Sequence, residues 1–339
     1  MAEHTRAHGG SGMNERTSVG GMRDLELLRS RPLQAREAFI AAYDRLRELA
    51  RIARRPAVLV AAVDGRARVV EAVLVESGHS LIIGRHTLCG LWLPSEAISL
   101  RQLVAYARSE SPGAAPVIRL WDLNTERPFL TEDGQPQAAV MAEGTLYAAV
   151  GPYALLFVPT SGPSGAPWPT RAELAWRALP PRQFLDRRMP EAIRRQHSRC
   201  LRPDGQEYKT NITGLGPLLL LGEDERPEDV WGELRLERGP RMETHRISRE
   251  RLEQGVLLGR YERCGIPLAE LDQISRVHLL LVRMGEEVLA IDTASTNGTW
   301  RGRTEIETTV LGERDSLSLG ASLRLHWHRL SPGTWDDEA

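Results

Sequence analysis

Two stretches of this chain, residues 56–160 and 229–330, are written almost wholly in short apolar runs broken by polar turns. Runs of this length, rich in Val, Ile and Leu, suit strands better than helices, which need a longer periodic face. In the first stretch they fall at residues 57–63, 69–75, 81–83, 117–120, 146–150 and 155–158, with Asp64-Gly65 and Ser77-Gly78 as breaks. In the second, Leu234 and Leu236 alternate with charged residues, and further runs fall at 256–258, 277–282, 288–291 and 323–327. Met284-Gly285-Glu286-Glu287 reads as a hairpin turn, and Asn297-Gly298 as a tight turn needing positive φ. Many short strands without intervening helices predict a β-sandwich in each stretch.

The remaining segments read differently. Residues 1–21 are rich in Gly, Ser and polar groups and read as a disordered tail. Residues 22–55 read as a helical segment. Pro32 suits a first turn, and Phe39, Tyr43, Leu46, Ala50 and Ala53 recur at spacings of four and three. Arg54 and Arg55 would close that helix where its dipole favours cations. Such a helix packs on the neighbouring domain or serves as a short partner-binding element. Residues 161–228 read as a Gly/Pro/Ser-rich linker and a partly helical spacer. Thr170 and Glu173 have capping-box spacing ahead of Leu174 and Trp176, and Pro190 with Glu191 would open a second helix through Arg195. Beyond residue 205 the pattern is ambiguous, and the run 218–221 fits a strand or a buried turn equally. Residues 331–339 form an acidic tail. The predicted fold class is therefore mainly β: two sandwiches, an N-terminal helix and a partly helical connection.

Bulk properties narrow the function classes. Arg and Lys number 44 against 45 acidic residues, for a formal net charge of −1. That balance gives no global reason to expect nucleic acid or a membrane as partner. Lys209 is the only lysine, a bias that fits GC-rich codon usage better than a local choice of arginine for phosphate contacts. Cys89, Cys200 and Cys264 are scattered without metal-ligand spacing and suit a reducing cytoplasm. No run approaches the ~18–20 apolar residues that span a bilayer. The first residues lack the apolar core of a secretory signal.

Within the second stretch four short pieces follow in order: Gly259-Arg260, Ser275-Arg276-Val277-His278, Thr296-Asn297-Gly298 and Leu319-Gly320. Here the chain resembles the forkhead-associated (FHA) domain family, whose signature is GR, then SRxH, then (T)NG. The resemblance covers residues 231–330 and implies an FHA-type β-sandwich that binds phosphothreonine peptides. It further implies that Arg260, Ser275 and Thr296 contact the phosphate, that Arg276 contributes from the same loop, and that Asn297 holds the peptide backbone. Gly259, His278 and Gly298 would support the site. The residue types suit this chemistry. A phosphothreonine carries roughly −1.5 to −2 charges and three strong acceptor oxygens, which a planar guanidinium fork and neighbouring hydroxyls satisfy.

The first stretch resembles the same family in a degenerate form. Residues 81–85, Leu-Ile-Ile-Gly-Arg, match residues 256–260, Val-Leu-Leu-Gly-Arg, but Ser99-Leu100-Arg101-Gln102 stands in place of Ser-Arg-Val-His. If Asp122 aligns with Asp292, Thr296-Asn297-Gly298 corresponds to Glu126-Arg127-Pro128. A carboxylate there would repel phosphate, and proline lacks glycine's turn geometry. The expectation is a sandwich that keeps the fold without binding phosphothreonine and acts as a scaffold. An insertion over residues 109–116 leaves that loop alignment open.

Other signals are weaker. His326 and His328 share a strand face, and His197 and Cys200 are three apart, but neither pair has the further ligands a metal needs. No Gly-rich phosphate loop with a lysine, G-x-S-x-G elbow or kinase signature occurs. Thr5, Thr17 and Thr308 are phosphorylatable in principle, and Thr17 in the tail raises the idea of an intramolecular switch at Arg260. The expected function is a non-enzymatic cytoplasmic adaptor without metal or cofactor. It would bind a phosphothreonine protein, a Ser/Thr kinase or its substrate. The alternative is a phosphorylation-independent scaffold that docks partners on both sandwiches.

Overall fold

The computed structural model describes residues 31–109, 116–125, 127–132, 134–160, 167–179, 184–186, 200–201, 207–208, 210–213 and 230–330. The expected tails 1–21 and 331–339, the linker 161–166, the helix opening at Pro190, His197 and the run 218–221 lie outside them.

Period-two alternation explains the architecture. In strand Ala57–Val63, Val58, Val60 and Ala62 point to one core while Leu59, Ala61 and Val63 point to another. The first core lies between two sheets of an N-terminal sandwich, the outer carrying Ala57–Val63 and Tyr153–Pro159, the inner carrying Ser80–Gly84, Leu103–Arg108 and Val117–Asp122. The second core lies under helix α1 (Ala35–Ile52), which lays Ala35, Ala38, Phe39, Ala42, Tyr43, Leu46 and Leu49 on the outer sheet. Tyr147 Oη donates to the Leu33 carbonyl at 2.6 Å, and Trp168 stacks 6.3 Å from Phe39, so the N-terminal part of the helix is tied down.

A C-terminal sandwich repeats the plan. Its outer sheet carries Val230–Arg238, Arg241–Ser248, Arg314–Leu319 and Leu323–Arg329, and its inner sheet carries Val256–Gly259, Leu279–Met284, Glu287–Asp292 and Thr308–Leu311. Trp327, Leu325 and Leu234 from one sheet meet Leu258, Leu279 and Leu281 from the other.

The two inner sheets then pack face to face. Ile82, Val104, Tyr106 and Trp121 from the N-terminal sandwich close against Leu257, Leu280, Val282, Leu289 and Ile291 from the C-terminal one. These strands are apolar on both faces, and hence read as continuous runs rather than alternating ones. Leu257, Leu280 and Ile291 are fully buried. At about 1.5–3 kcal/mol for each side chain fully removed from water, this face holds the sandwiches as one body. Polar contacts seal the rim: Arg119 Nη1 donates to the Arg283 carbonyl at 2.9 Å, and Arg108 pairs with Glu287 at 2.5 Å.

Several expectations need correction. Helix α1 starts at Ala35 behind the N-cap Gln34, so Pro32 precedes it, and Arg54 and Arg55 lie past its end at Ile52. Ala53, placed on the helical stripe, is its C-cap. The helix expected from a capping box at Thr170 is α2 (Ala172–Ala178), whose N-cap is Arg171 without a side-chain cap bond. The described parts of the spacer also include strands, and Thr210–Thr213 pairs antiparallel with Ala139–Glu143 to extend the inner sheet. The second stretch is not free of helix. Ser248 caps a six-residue helix, α3 (Arg249–Gln254), by accepting from the Arg251 amide at 3.3 Å. Thr308 is not an open surface hydroxyl, since its Oγ1 lies 2.6 Å from Ser80 Oγ across the interface.

Candidate functional site

The strand Val256–Gly259 ends where the chain must pass against a second loop. A Cβ at Gly259 would lie 2.3 Å from the Arg276 carbonyl oxygen, so only glycine allows this approach. The Arg260 amide donates to the Ser275 carbonyl at 3.0 Å and the Tyr261 amide to the Arg276 carbonyl at 2.8 Å. These bonds place Arg260 beside the Ser275–Arg276 loop.

A third loop is fixed by Asp292, whose carboxylate accepts from the Ser295 amide at 2.7 Å, Ser295 Oγ at 2.7 Å and Thr299 Oγ1 at 2.6 Å. Buried His278 joins the second loop to the third. Its Nδ1 accepts from the Ser275 amide at 3.2 Å, so Nε2 carries the proton and donates to the Gly298 carbonyl at 3.2 Å. Burial, the largest cause, holds the imidazole pKa below its usual value despite Asp292 nearby. Gly298 has φ of 70°, and a Cβ there would meet Glu305 Oε1 at 2.4 Å.

The ends of these loops converge. Ser275 Oγ accepts from the Thr296 amide at 3.0 Å and lies 3.5 Å from Thr296 Oγ1. Asn297 Nδ2 donates to the Gln273 carbonyl at 2.7 Å, leaving its oxygen and second N–H. Arg260 Nη1 reaches Asp272 at 3.4 Å, while its Nε is buried without a hydrogen-bond partner. Arg260, Ser275, Arg276, Thr296 and Asn297 all line one cavity of about 670 Å³. Gly259, His278 and Gly298 are behind its wall. The set offers guanidinium, hydroxyl and amide groups around a space large enough for a peptide side chain.

Sequence reasoning missed the other half of the cavity. Arg85, Ser99, Arg101, Thr125 and Arg127 of the N-terminal sandwich line it too. Their loops repeat the C-terminal geometry almost bond for bond. The Arg85 amide donates to the Ser99 carbonyl at 3.0 Å, and a Cβ at Gly84 would lie 2.4 Å from the Leu100 carbonyl oxygen. Asp122 accepts from the Thr125 amide and Oγ1, both at 2.7 Å, as Asp292 does from Ser295. Asn124 and Ala294 both have φ of 58°. Gln102 occupies the place of His278: its Oε1 accepts from the Ser99 amide at 2.9 Å, and its Nε2 donates to the Arg127 carbonyl at 2.7 Å. The departures at Leu100–Gln102 thus change the lining while keeping the brace. The paired signal was present in the sequence as Asp122 and Asp292, each followed three residues later by a hydroxyl residue.

Other candidates fall away. His326 is satisfied by Ser316 Oγ at 2.8 Å and Glu237 at 3.0 Å. Among the described residues no group of three His, Cys, Asp or Glu side chains has the geometry to hold a metal. No described helix is long and apolar enough to cross a membrane. The Cys89 and Cys264 thiols are buried, which pushes their pKa values up to about 11 and about 12 and leaves them unreactive.

No curated protein matches the chain. Among solved structures, the chain is similar to Mycobacterium tuberculosis Rv1747 FHA-1, with 21% identity over 30% of this chain and 99% of that one, at a TM-score of 0.25. It is also similar to the Slr1951 protein from Synechocystis sp., with 18% identity over 30% and 98% and a TM-score of 0.27. A third similar structure comes from work on phosphothreonine-dependent FHA domain interactions, with 24% identity over 30% and 98% and a TM-score of 0.26. Residues 256–320, which carry all three loops of the C-terminal cavity wall, match the family model of the FHA domain, and this part of the chain is an FHA domain.

Proposed function

We propose that the protein is a non-enzymatic adaptor that binds phosphothreonine-containing peptides at the Arg260 cavity. The observation that carries this reading is the state of Arg260: its Nε is buried and unpaired beside the Ser275 and Thr296 hydroxyls. A buried donor without an acceptor is costly, and a phosphate oxygen would satisfy it. The competing carboxylate, Asp272, is 99% exposed and free to swing aside when an anion enters. Arg260 and Arg276 would supply cationic donors and the Ser275 and Thr296 hydroxyls would donate to the same anionic oxygens, with Asn297 against the peptide backbone. The FHA assignment of residues 256–320 supports the same reading.

The phosphothreonine would be made by a Ser/Thr kinase, and the partner would be that kinase or its substrate. A cytoplasmic setting is supported by the free buried thiols of Cys89 and Cys264. Binding of this kind needs no cofactor. The test is retention of phosphothreonine peptides, and of their unphosphorylated twins, by the full chain and by Arg260→Ala. Loss of one charge-assisted contact, worth about 1.5–3 kcal/mol, removes a large share of a micromolar complex. Equal retention by both proteins, or retention that survives phosphatase treatment of the peptides, would overturn the proposal.

A further inference from the structure

The cavity is shared between sandwiches, and its charge is not confined to the FHA half. Among its described lining residues are Arg85, Arg101, Arg127, Arg260 and Arg276 against Glu96 and Asp272. Asp272 reaches Arg260, and Arg101 is committed to the Ala294 carbonyl at 2.9 Å through Nε and 2.5 Å through Nη2. That leaves Arg85 and Arg127, both exposed, as a basic wall opposite the Arg260 site.

Arg85 is held ready for a ligand. Its Nε donates to the Ile98 carbonyl at 2.9 Å, which fixes the guanidinium plane and leaves the terminal amino groups. Arg127 is anchored through its backbone, since its carbonyl accepts from Gln102 Nε2, while its side chain stays in the cavity lining. Arg85 stands in the repeat where Arg260 stands, and Arg127 where Asn297 stands. The sandwiches cannot drift apart, because the apolar inner faces and the Arg119 and Asn124 hydrogen bonds lock them. The separation of the two basic walls is therefore built in.

We propose that Arg85 and Arg127 form a second anion subsite that reads an acidic group elsewhere on the same phosphothreonine peptide. The inference rests on the Arg260 site being the phosphothreonine reader. The N-terminal sandwich is not thereby an independent reader. Glu126 and Pro128 stand at the sequence positions of Thr296 and Gly298, so a phosphothreonine cradle is lacking while a charged wall is kept. The acidic group is a second phosphate or an Asp or Glu carboxylate, since either presents oxygens to a guanidinium. Two linked contacts on one rigid body raise affinity without a new domain, provided the ligand spans both.

The test uses the full chain and a set of phosphothreonine peptides whose flanks are neutral, carry Asp or Glu at stepped positions, or carry a second phosphate at those positions. Titration calorimetry against wild type and Arg85→Ala/Arg127→Ala is expected to show roughly tenfold tighter binding of some acidic-flank peptides by wild type. The double variant should lose that preference while binding the neutral-flank peptide as wild type does. The single variant Arg127→Glu, which alters an exposed side chain, guards against misfolding and should reverse the preference. A gain confined to the second phosphate, or shared by carboxylates, identifies the source. Equal affinity for neutral and acidic flanks, or a preference that survives in both variants, overturns the subsite. If no phosphothreonine peptide binds the wild type at all, the reading of the Arg260 site fails, and the second subsite falls with it.

Discussion

Arg101 of the N-terminal sandwich donates through both Nε and Nη2 to the carbonyl of Ala294, two residues before Thr296 in the C-terminal sandwich. Ala294 is held in the left-handed region at φ of 58°, so this contact stabilises a strained residue of the loop that presents Thr296 and Asn297. The N-terminal sandwich thus positions the C-terminal loop that presents Thr296 and Asn297. Arg101 takes the place of Val277 in the repeat, and the apolar counterpart makes no such reach.

Arg101→Ala should therefore weaken phosphopeptide binding without removing a ligand contact. Loss of a charged hydrogen bond to this part-buried carbonyl costs about 1.5–3 kcal/mol of stability. The Thr296 and Asn297 amides should exchange hydrogen faster in the variant, and peptide affinity should fall several-fold through a faster off-rate. Unchanged exchange at those amides, with affinity intact, would show that the loop stands without Arg101.

Many strands and the three loops of the C-terminal site are legible in the sequence because each depends on local pattern, whereas Leu103–Arg108, Ala139–Glu143 and Arg314–Leu319 are not marked by it. Apolar alternation marks strands, and Gly259, Ser275 and Asn297-Gly298 mark backbone approaches that few residues tolerate. What sits between the sandwiches was not legible. Leu280 and Leu281 look alike in a run, yet one faces the neighbouring sandwich and the other its own core. The strand Arg241–Ser248 is hard to see in the sequence because its first four residues are exposed on both faces, so no apolar alternation shows. Gln102 stands in the sequence as a departure from the site histidine, and composition does not reveal that its amide spans the same donor and acceptor.

Asp122 gives a pH signature to the N-terminal sandwich. Burial raises its pKa to about 6, against opposing hydrogen bonds from Thr125 and Gln102. A carboxyl raised above its unfolded value of about 3.9 contributes stability that is complete below that value and is lost as pH rises through about 6. In Asp122→Asn this loss is absent. The melting temperature of the variant relative to wild type should therefore climb between about pH 4 and about pH 6.5 and level off above that. A difference that stays flat across that window would place the carboxyl pKa in the ordinary range.

His278 and Gln102 make the same brace with different chemistry, and the chain thereby suggests its own substitution. In His278→Gln, Oε1 is expected to accept from the Ser275 amide and Nε2 to donate toward the Gly298 carbonyl, as Gln102 does between Ser99 and Arg127. The variant should fold and keep phosphopeptide affinity within about threefold at pH 7.5, whereas His278→Ala leaves the Ser275 amide unpaired at a cost of about 1–3 kcal/mol. The two braces differ in how they answer acid. The folded imidazole pKa is depressed by burial, so its contribution is complete above the unfolded value of about 6.5 and is lost as pH falls through the folded value. An amide does not titrate. Melting curves taken from pH 7.5 down to pH 5 should show the gap between His278→Gln and wild type moving steadily in favour of the glutamine. If the wild type gained on the variant as pH fell, His278 would be charged in the folded state, and the proton assigned to Nε2 alone would be wrong.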